Sequence, residues 1–170
     1  MMIVLVVGST GAGKTTYARK LAPDLPGVVY SIDNWMKSMF GADMPEDPQP
    51  EWFYENQQWY VQRIARCEKM ITDLATQRAK VGQQSILDLG FSTEEHRKLF
   101  IDHFKDLDIP VSIHYLDVDV DERKRRVRNR NAVKGDTYVM TVDDSLFGYM
   151  EEIFESPTTS EGVEVHWVGE

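Results

Sequence analysis

The stretch Met2-Ile3-Val4-Leu5-Val6-Val7-Gly8-Ser9-Thr10-Gly11-Ala12-Gly13-Lys14-Thr15-Thr16 decides how the chain is read. Met2–Val7 is an unbroken apolar run rich in β-branched residues, the pattern of a strand covered on both faces in a parallel sheet. Gly8–Thr15 then matches GxxxxGK[ST] at every fixed position. Glycines let successive backbone N–H groups turn inward around an anion, and the helix that follows presents its positive end to the same point. Lys14 supplies a mobile positive charge for the β- and γ-phosphates of a nucleotide, and the Thr15 hydroxyl is a ligand for Mg²⁺. The competing reading is a glycine-rich turn that binds nothing. Context argues against it, because the motif leaves a buried strand and opens a helix over Thr15–Leu21. Gly8, Ser9, Thr10, Gly11, Ala12, Gly13, Lys14, Thr15 and Thr16 are the candidate phosphate-binding residues.

Further strands are expected at Val28–Ile32, Ile86–Leu89, Val111–Leu116 and Val163–Trp167, the first of them after the turn residues Pro23, Pro26 and Gly27. Helices fill the intervals. One short helix should cover Asn34–Phe40, and a long one should follow Pro48 and Pro50 over Glu51–Ala79. In the long one Phe53, Tyr60, Ile64, Cys67, Ile71 and Leu74 recur at steps of three, four or seven and so share a face. Ser92 with Glu95 reads as a capping box opening the helix of Leu99, Phe100 and Phe104. Asp119 with Glu122 reads as another, opening a very basic helix. Strands alternating with helices predict an α/β fold, a parallel sheet with helices on both faces. The expected insertions are Gly41–Pro50 and Asn131–Ser145. The second carries Gly135 and few apolar residues, so 123–145 is expected to act as a lid.

The chain has 170 residues, the size of a single domain spanning 1–170. At 42% hydrophobic and 28% charged it can bury a core of ordinary size. Lys plus Arg total 19 against 28 for Asp plus Glu, a net charge of −9. That balance argues against coating duplex nucleic acid or an anionic membrane, both of which need clustered basic charge. No apolar run is long enough to span a bilayer. The first apolar run has no basic residues ahead of it, so it is read as a strand and not as a signal peptide. One cysteine, Cys67, excludes an intramolecular disulfide and a cysteine-based zinc site, which suits a reducing, cytoplasmic location. His96, His103, His114 and His166 lack ligand spacing, so no transition-metal site is expected.

In an open parallel sheet, ligands sit outside the carboxyl ends of the strands. Two carboxylates are expected there. Asp33 should end the second strand in Ser31-Ile32-Asp33-Asn34-Trp35, placed to take a proton from an acceptor hydroxyl; the alternative is a helix cap. Asp88 should follow Ile86 and Leu87 on the third strand, where a carboxylate holds Mg²⁺ through water; the alternative is a turn residue before Gly90. On the basic helix Arg123, Arg126 and Arg130 share a face. Arg126 and Arg130 are the candidates for the phosphates, while Lys124, Arg125 and Arg128 read as a solvated face. Among the aromatics near the first insertion, Trp35 is the candidate for contact with a substrate, being next but one to Asp33.

Taken in order, these residues resemble the small P-loop kinases of the zeta-toxin-like, AAA-type ATP-binding group. Wider relatives include chloramphenicol phosphotransferase, gluconate, shikimate and adenylylsulfate kinases, and polynucleotide 5′-kinases. The resemblance rests on Gly8–Thr16, Ser31–Trp35, Ile86–Phe91 with Glu94–Arg97, Tyr115-Leu116-Asp117 leading to Arg126 and Arg130-Asn131, and Phe154–Pro157. It implies a P-loop NTPase three-layer sandwich with a five-stranded parallel sheet of order 2-3-1-4-5. It further implies ATP with Mg²⁺, phosphoryl transfer to a hydroxyl of a small molecule, an acidic base matching Asp33, and a lid arginine matching Arg126 or Arg130. Polynucleotide and zeta-type kinases place an arginine shortly after the acid, where this chain has Met36 and Lys37. Lysine lacks the planar two-pronged grip of arginine, which weighs against a phosphorylated or nucleic-acid acceptor. The competing readings are a nucleic-acid 5′-hydroxyl or nucleotide-sugar kinase, and a regulatory nucleotide-dependent ATPase without an acceptor.

Overall fold

The structure is a computed structural model and describes residues 2–24, 27–135 and 138–169. Five strands, β1 (Ile3–Val7), β2 (Gly27–Ser31), β3 (Gln84–Asp88), β4 (Val111–Leu116) and β5 (Glu164–Val168), form one sheet of order β2-β3-β1-β4-β5. Every pairing is parallel. β1 lies in the middle for the reason its composition gives. Ile3, Leu5 and Val7 pack into the larger core with Ile71, Phe100 and Phe104. Val4 and Val6 face the opposite core with Ala12, Ala18 and Ile86. All five residues of β1 are fully buried. Burying side chains of this size contributes about 1.5–3 kcal/mol each, so a charge at any of them would break the sheet at its centre.

The helices are α1 (Lys14–Asp24), α2 (Ile32–Phe40), α3 (Pro50–Glu55), α4 (Gln57–Lys80), α5 (Glu94–Lys105), α6 (Val120–Val133) and α7 (Asp144–Ile153). The long helix expected over Glu51–Ala79 is two helices. Asn56 leaves helical geometry (φ −112, ψ 22) and its side chain donates to the Trp52 carbonyl at 2.9 Å, closing α3 before α4 begins. The capping box at Ser92 is also corrected. Thr93 is the N-cap of α5 and accepts from the His96 amide, while Ser92 donates to the Gly90 carbonyl. Asp119 does cap α6, accepting from the amides of Asp121 and Glu122. Glu122 completes no box, because its carboxylate is taken by Arg125 and Arg126. The turn expected at Pro23–Gly27 falls partly on Leu25 and Pro26, outside the described residues.

The second insertion is anchored through Val142 and Met140 to a small core that it shares with α6 and α7. Val142, Leu146 and Phe147 are buried with Val127 of α6, and Met140 and Met150 pack against them. This small satellite core joins α7 to α6. Asp136 and Thr137 within the insertion lie outside the described residues. Among the described residues no helix is long and apolar enough to cross a membrane.

A polar group lies in the face of the sheet under α1. His114 of β4 is buried, its Nδ1 lies 2.7 Å from the Tyr17 hydroxyl, and its ring meets His166 at 4.9 Å. Burial, then the neighbouring His166, pushes the His114 pKa down to about 4, with Glu164 pulling the other way. The folded state therefore holds the ring neutral, while the unfolded chain protonates it near 6.5. Stability from this site is complete above pH 6.5 and is lost as pH falls from 6.5 towards 4. We expect wild type to lose on the order of 2–3 kcal/mol more than His114→Gln across that window. Urea midpoints measured from pH 7 to 4 test this, and parallel curves would remove His114 as the cause.

Candidate active site

The loop between β1 and α1 is shaped by its glycines. Gly11 (φ +82) and Gly13 (φ +91) hold a backbone conformation that other residues rarely adopt. A Cβ on Gly11 would meet the Arg123 carbonyl at 2.6 Å, so α6 packs directly on the loop. Lys14 opens α1 and curls back, its Nζ donating to the Gly8 carbonyl at 2.8 Å and the Ser9 carbonyl at 3.3 Å. Ser9 is buried and donates to Glu151 of α7, whereas Gly13 and Thr16 are exposed.

Asp88 ends β3, beside the loop, and is buried. Its Oδ2 accepts from the Thr15 hydroxyl at 2.8 Å. Burial raises the Asp88 carboxyl pKa, opposed by Lys14 and by the Thr15 hydrogen bond. Burial likewise lowers the Lys14 pKa, with Asp88 and then Asp33 working against it and Arg130 and Arg123 adding to it. Thr15 and Asp88 thus present two hard oxygen donors to one point, a set that fits Mg²⁺ held mainly by water and nucleotide phosphates.

Asp33 does not end a strand. β2 stops at Ser31, whose extended backbone takes the N-cap position, and Asp33 lies in the first turn of α2. It is not the cap either. Asp33 is exposed, yet the protein around it keeps part of the bulk water from its carboxyl. Loss of bulk water there raises its pKa, followed by repulsion from Asp88, against the pull of Lys14 and Arg130. Tyr60 of α4 belongs to the same neighbourhood: burial and then the Asp33 charge push its hydroxyl up to about 12. Trp35 is partly buried, packs against the main core and meets Tyr30 at 6.3 Å, so its contacts are with the interior.

The arginines of α6 separate into distinct roles. Arg123 is buried and grips Glu151 through both terminal nitrogens (2.5 and 2.7 Å), while also donating to the Val118 and Thr10 carbonyls. Arg126 binds Glu122 at 2.7 Å and reaches the Ala12 carbonyl of the loop at 3.3 Å. Arg130 lies close enough to Lys14 and Asp33 to act on both charges, and its buried Nε has no hydrogen-bond partner among the described residues. Lys124 and Arg128 are exposed, as is Arg125, which pairs with Glu122. The structure therefore brings together Lys14, Asp33, Asp88, Thr15 and Arg130. The sequence carries no local signal for Glu151, because its partners Arg123 and Ser9 lie 28 and 142 residues away.

The sheet order and the loop between β1 and α1 define a P-loop NTPase fold. Residues 3–157 match the model of an AAA domain family, and the chain belongs to that family. Its structure is similar to a candidate kinase from Chloroflexus aurantiacus j-10-fl, with a TM-score of 0.73 at 17% identity over 99% of this chain and 87% of that one. It is similar to Kti12 of Chaetomium thermophilum in complex with ADP-AlF3, with a TM-score of 0.69 at 16% identity over 98% and 88%. A gluconokinase from Sinorhizobium meliloti 1021 gives a TM-score of 0.56 at 13% identity over 98% and 81%. At these identities the likeness is one of fold. No curated protein matches the sequence.

Proposed function

We propose that the chain is an ATP-dependent phosphotransferase that moves the γ-phosphoryl group to a hydroxyl of a small molecule. The observation that carries this reading is that Asp33, Lys14 and Arg130 lie close enough to act on one another's charges, with Asp33 not required as a helix cap. Residues Gly8–Thr16 cradle the phosphates through backbone N–H groups and the start of α1. Lys14 exchanges its carbonyl partners for β- and γ-phosphate oxygens. Thr15 and Asp88 would hold Mg²⁺, which supplies charge neutralisation between the phosphates. Asp33 orients the acceptor hydroxyl and accepts its proton, and its raised pKa makes it a stronger base than an ordinary carboxylate. Arg130 neutralises charge on the group in flight, and Arg126 steadies the loop from above. Trp35 is only partly buried, and the part of its ring not packed against the core would give the acceptor an apolar surface.

Residues 1–170 act as one unit, with 123–145 as the lid. Buried Cys67 suits a reducing compartment, so we place the protein in the cytoplasm. The acceptor is small, in keeping with the sugar kinase and gluconokinase among the structural relatives. The acidic net charge of −9 and the Met36-Lys37 pair speak against a nucleic-acid end.

Lys14→Ala tests the nucleotide half of the proposal. The variant should fold with a melting temperature near wild type and lose most of the stabilisation that Mg²⁺-ATP gives. A screen of ATP consumption across hydroxylated metabolites, with short oligonucleotides as a separate arm, tests the acceptor half. Equal ATP stabilisation of both proteins would defeat the first assignment. ATP hydrolysed at one rate whatever is added would favour a regulatory ATPase.

A further inference from the structure

The two insertions meet. Asp47, in the loop after α2, accepts from Lys134 Nζ at 2.7 Å and from the Tyr138 hydroxyl. Lys134 Nζ also lies 5.3 Å from the centre of the Tyr138 ring, and Tyr138 bonds to Thr141 at 2.9 Å. Lys134 is the C-cap of α6, held left-handed (φ 47), and its amide donates to the Arg130 carbonyl at 2.9 Å. Tyr138 in turn lies near enough to Arg130 to act on its charge. Asp33 thus lies in the first turn of α2 and Asp47 beyond its end, while Lys134 and Tyr138 lie across the gap on the side of Arg130, in the last turn of α6 and close enough to act on the Asp33 charge.

We propose that Asp47, Lys134 and Tyr138 form a clasp that joins the acceptor-side loop to α6 and so holds Arg130 over the phosphoryl group as it is transferred. The inference rests on the phosphotransfer reading above. Asp47 is a positioning residue, acting through Arg130 and touching no reacting atom. Its bonds are exposed at the surface, with side-chain exposures of 41% for Asp47 and 47% for Lys134. Exposed pairs of this kind are weak, which lets the clasp open for substrate entry and product release. A stronger, buried latch would trap the product. The arrangement also ties two events together, because the loop that must close over an acceptor is the one that steadies the arginine.

The full-length protein tests this without a known acceptor. Mg²⁺-ADP binding is compared with Mg²⁺-ADP plus aluminium fluoride, which mimics the γ-phosphoryl group in transfer. Wild type should bind the aluminium fluoride complex more tightly than ADP. Asp47→Ala should forfeit about two- to fivefold of that gain and Tyr138→Phe up to about twofold, with ADP affinity and melting temperature unchanged. Asp47→Glu should keep most of the gain. Variants that retain the whole gain overturn the clasp. So does a wild type that binds ADP with no gain from fluoride, because Arg130 then does not act at the γ position. A wild type that fails to bind ADP at all overturns the nucleotide reading, and the clasp with it.

Discussion

Asp33→Asn should keep nucleotide affinity and lose phosphoryl transfer by roughly 10²–10⁴-fold, the range for lost acid–base catalysis. Asparagine preserves the size of the side chain and part of its hydrogen bonding, and removes the negative charge and with it the ability to take a proton. The structural cost is small, because Ser31 occupies the N-cap of α2 and Asp33 supplies the helix only a first-turn negative charge. That charge is worth about 0.3–1 kcal/mol. Nor does the substitution disturb the loop, whose contacts run from Lys14 to carbonyls and from Thr15 to Asp88. Removing the negative charge relieves repulsion on Asp88 and takes one attraction from Lys14, so ATP should bind at least as well. Phosphoryl transfer has a loose transition state in which positioning and charge neutralisation do most of the work, so the residual rate should remain measurable. Single-turnover transfer alongside ATP binding separates the two quantities. Near-normal transfer by Asp33→Asn would defeat the assignment and leave Asp88 as the next carboxylate to test.

What the sequence disclosed depended on whether the cause was local. β1 was legible because a strand with both faces buried must be apolar at every position, as Ile3–Val7 is. The loop was legible because its glycines and Lys14 lie within a few residues of one another. Errors arose where neighbours in space decide. The apolar period runs on through Asn56, so it gives no sign that α3 ends there. Ser92 and Thr93 are equally able caps, and the Gly90 carbonyl takes the first of them. Arg126 and Arg130 sit on one helical face and cannot be told apart by spacing. Their separation comes from Glu122 and Ala12 holding one, and from Asp33 and Lys14 lying near the other. Asp47 is an ordinary loop acid until α6 brings Lys134 to it.

A large stability loss from a single substitution is expected at Arg97, a charged residue on the buried face of α5, in line with Phe100, Ile101 and Phe104. Its side chain is fully buried, and so is that of its partner Glu161, with 0% and 2% exposed. Arg97 donates Nε and Nη2 to the two Glu161 oxygens at 2.8 and 2.7 Å, and Nη1 to the carbonyls of Phe91 (3.3 Å) and Glu155 (2.8 Å). One guanidinium thereby fastens α5 to the segment after β3 and to the loop that leads into β5. Arg97→Met removes the charge but strands the Glu161 carboxylate out of water beside two carbonyls without donors. Breaking a buried pair from one side costs about 3–5 kcal/mol, against a total stability of about 5–15 kcal/mol for a domain of this kind. Glu161→Leu should cost a similar amount for the mirror-image reason, leaving an arginine unpaired. The pair Arg97→Met with Glu161→Leu should lose much less than the two single losses combined, because no charge is then buried alone. It should still fall short of wild type, since the carbonyls of Phe91 and Glu155 lose their donor, at about 1–3 kcal/mol each. Urea unfolding of the four proteins completes the cycle. Additive losses would mean that Arg97 and Glu161 act independently, and an Arg97→Met protein as stable as wild type would mean that the pair does not hold β5 in place.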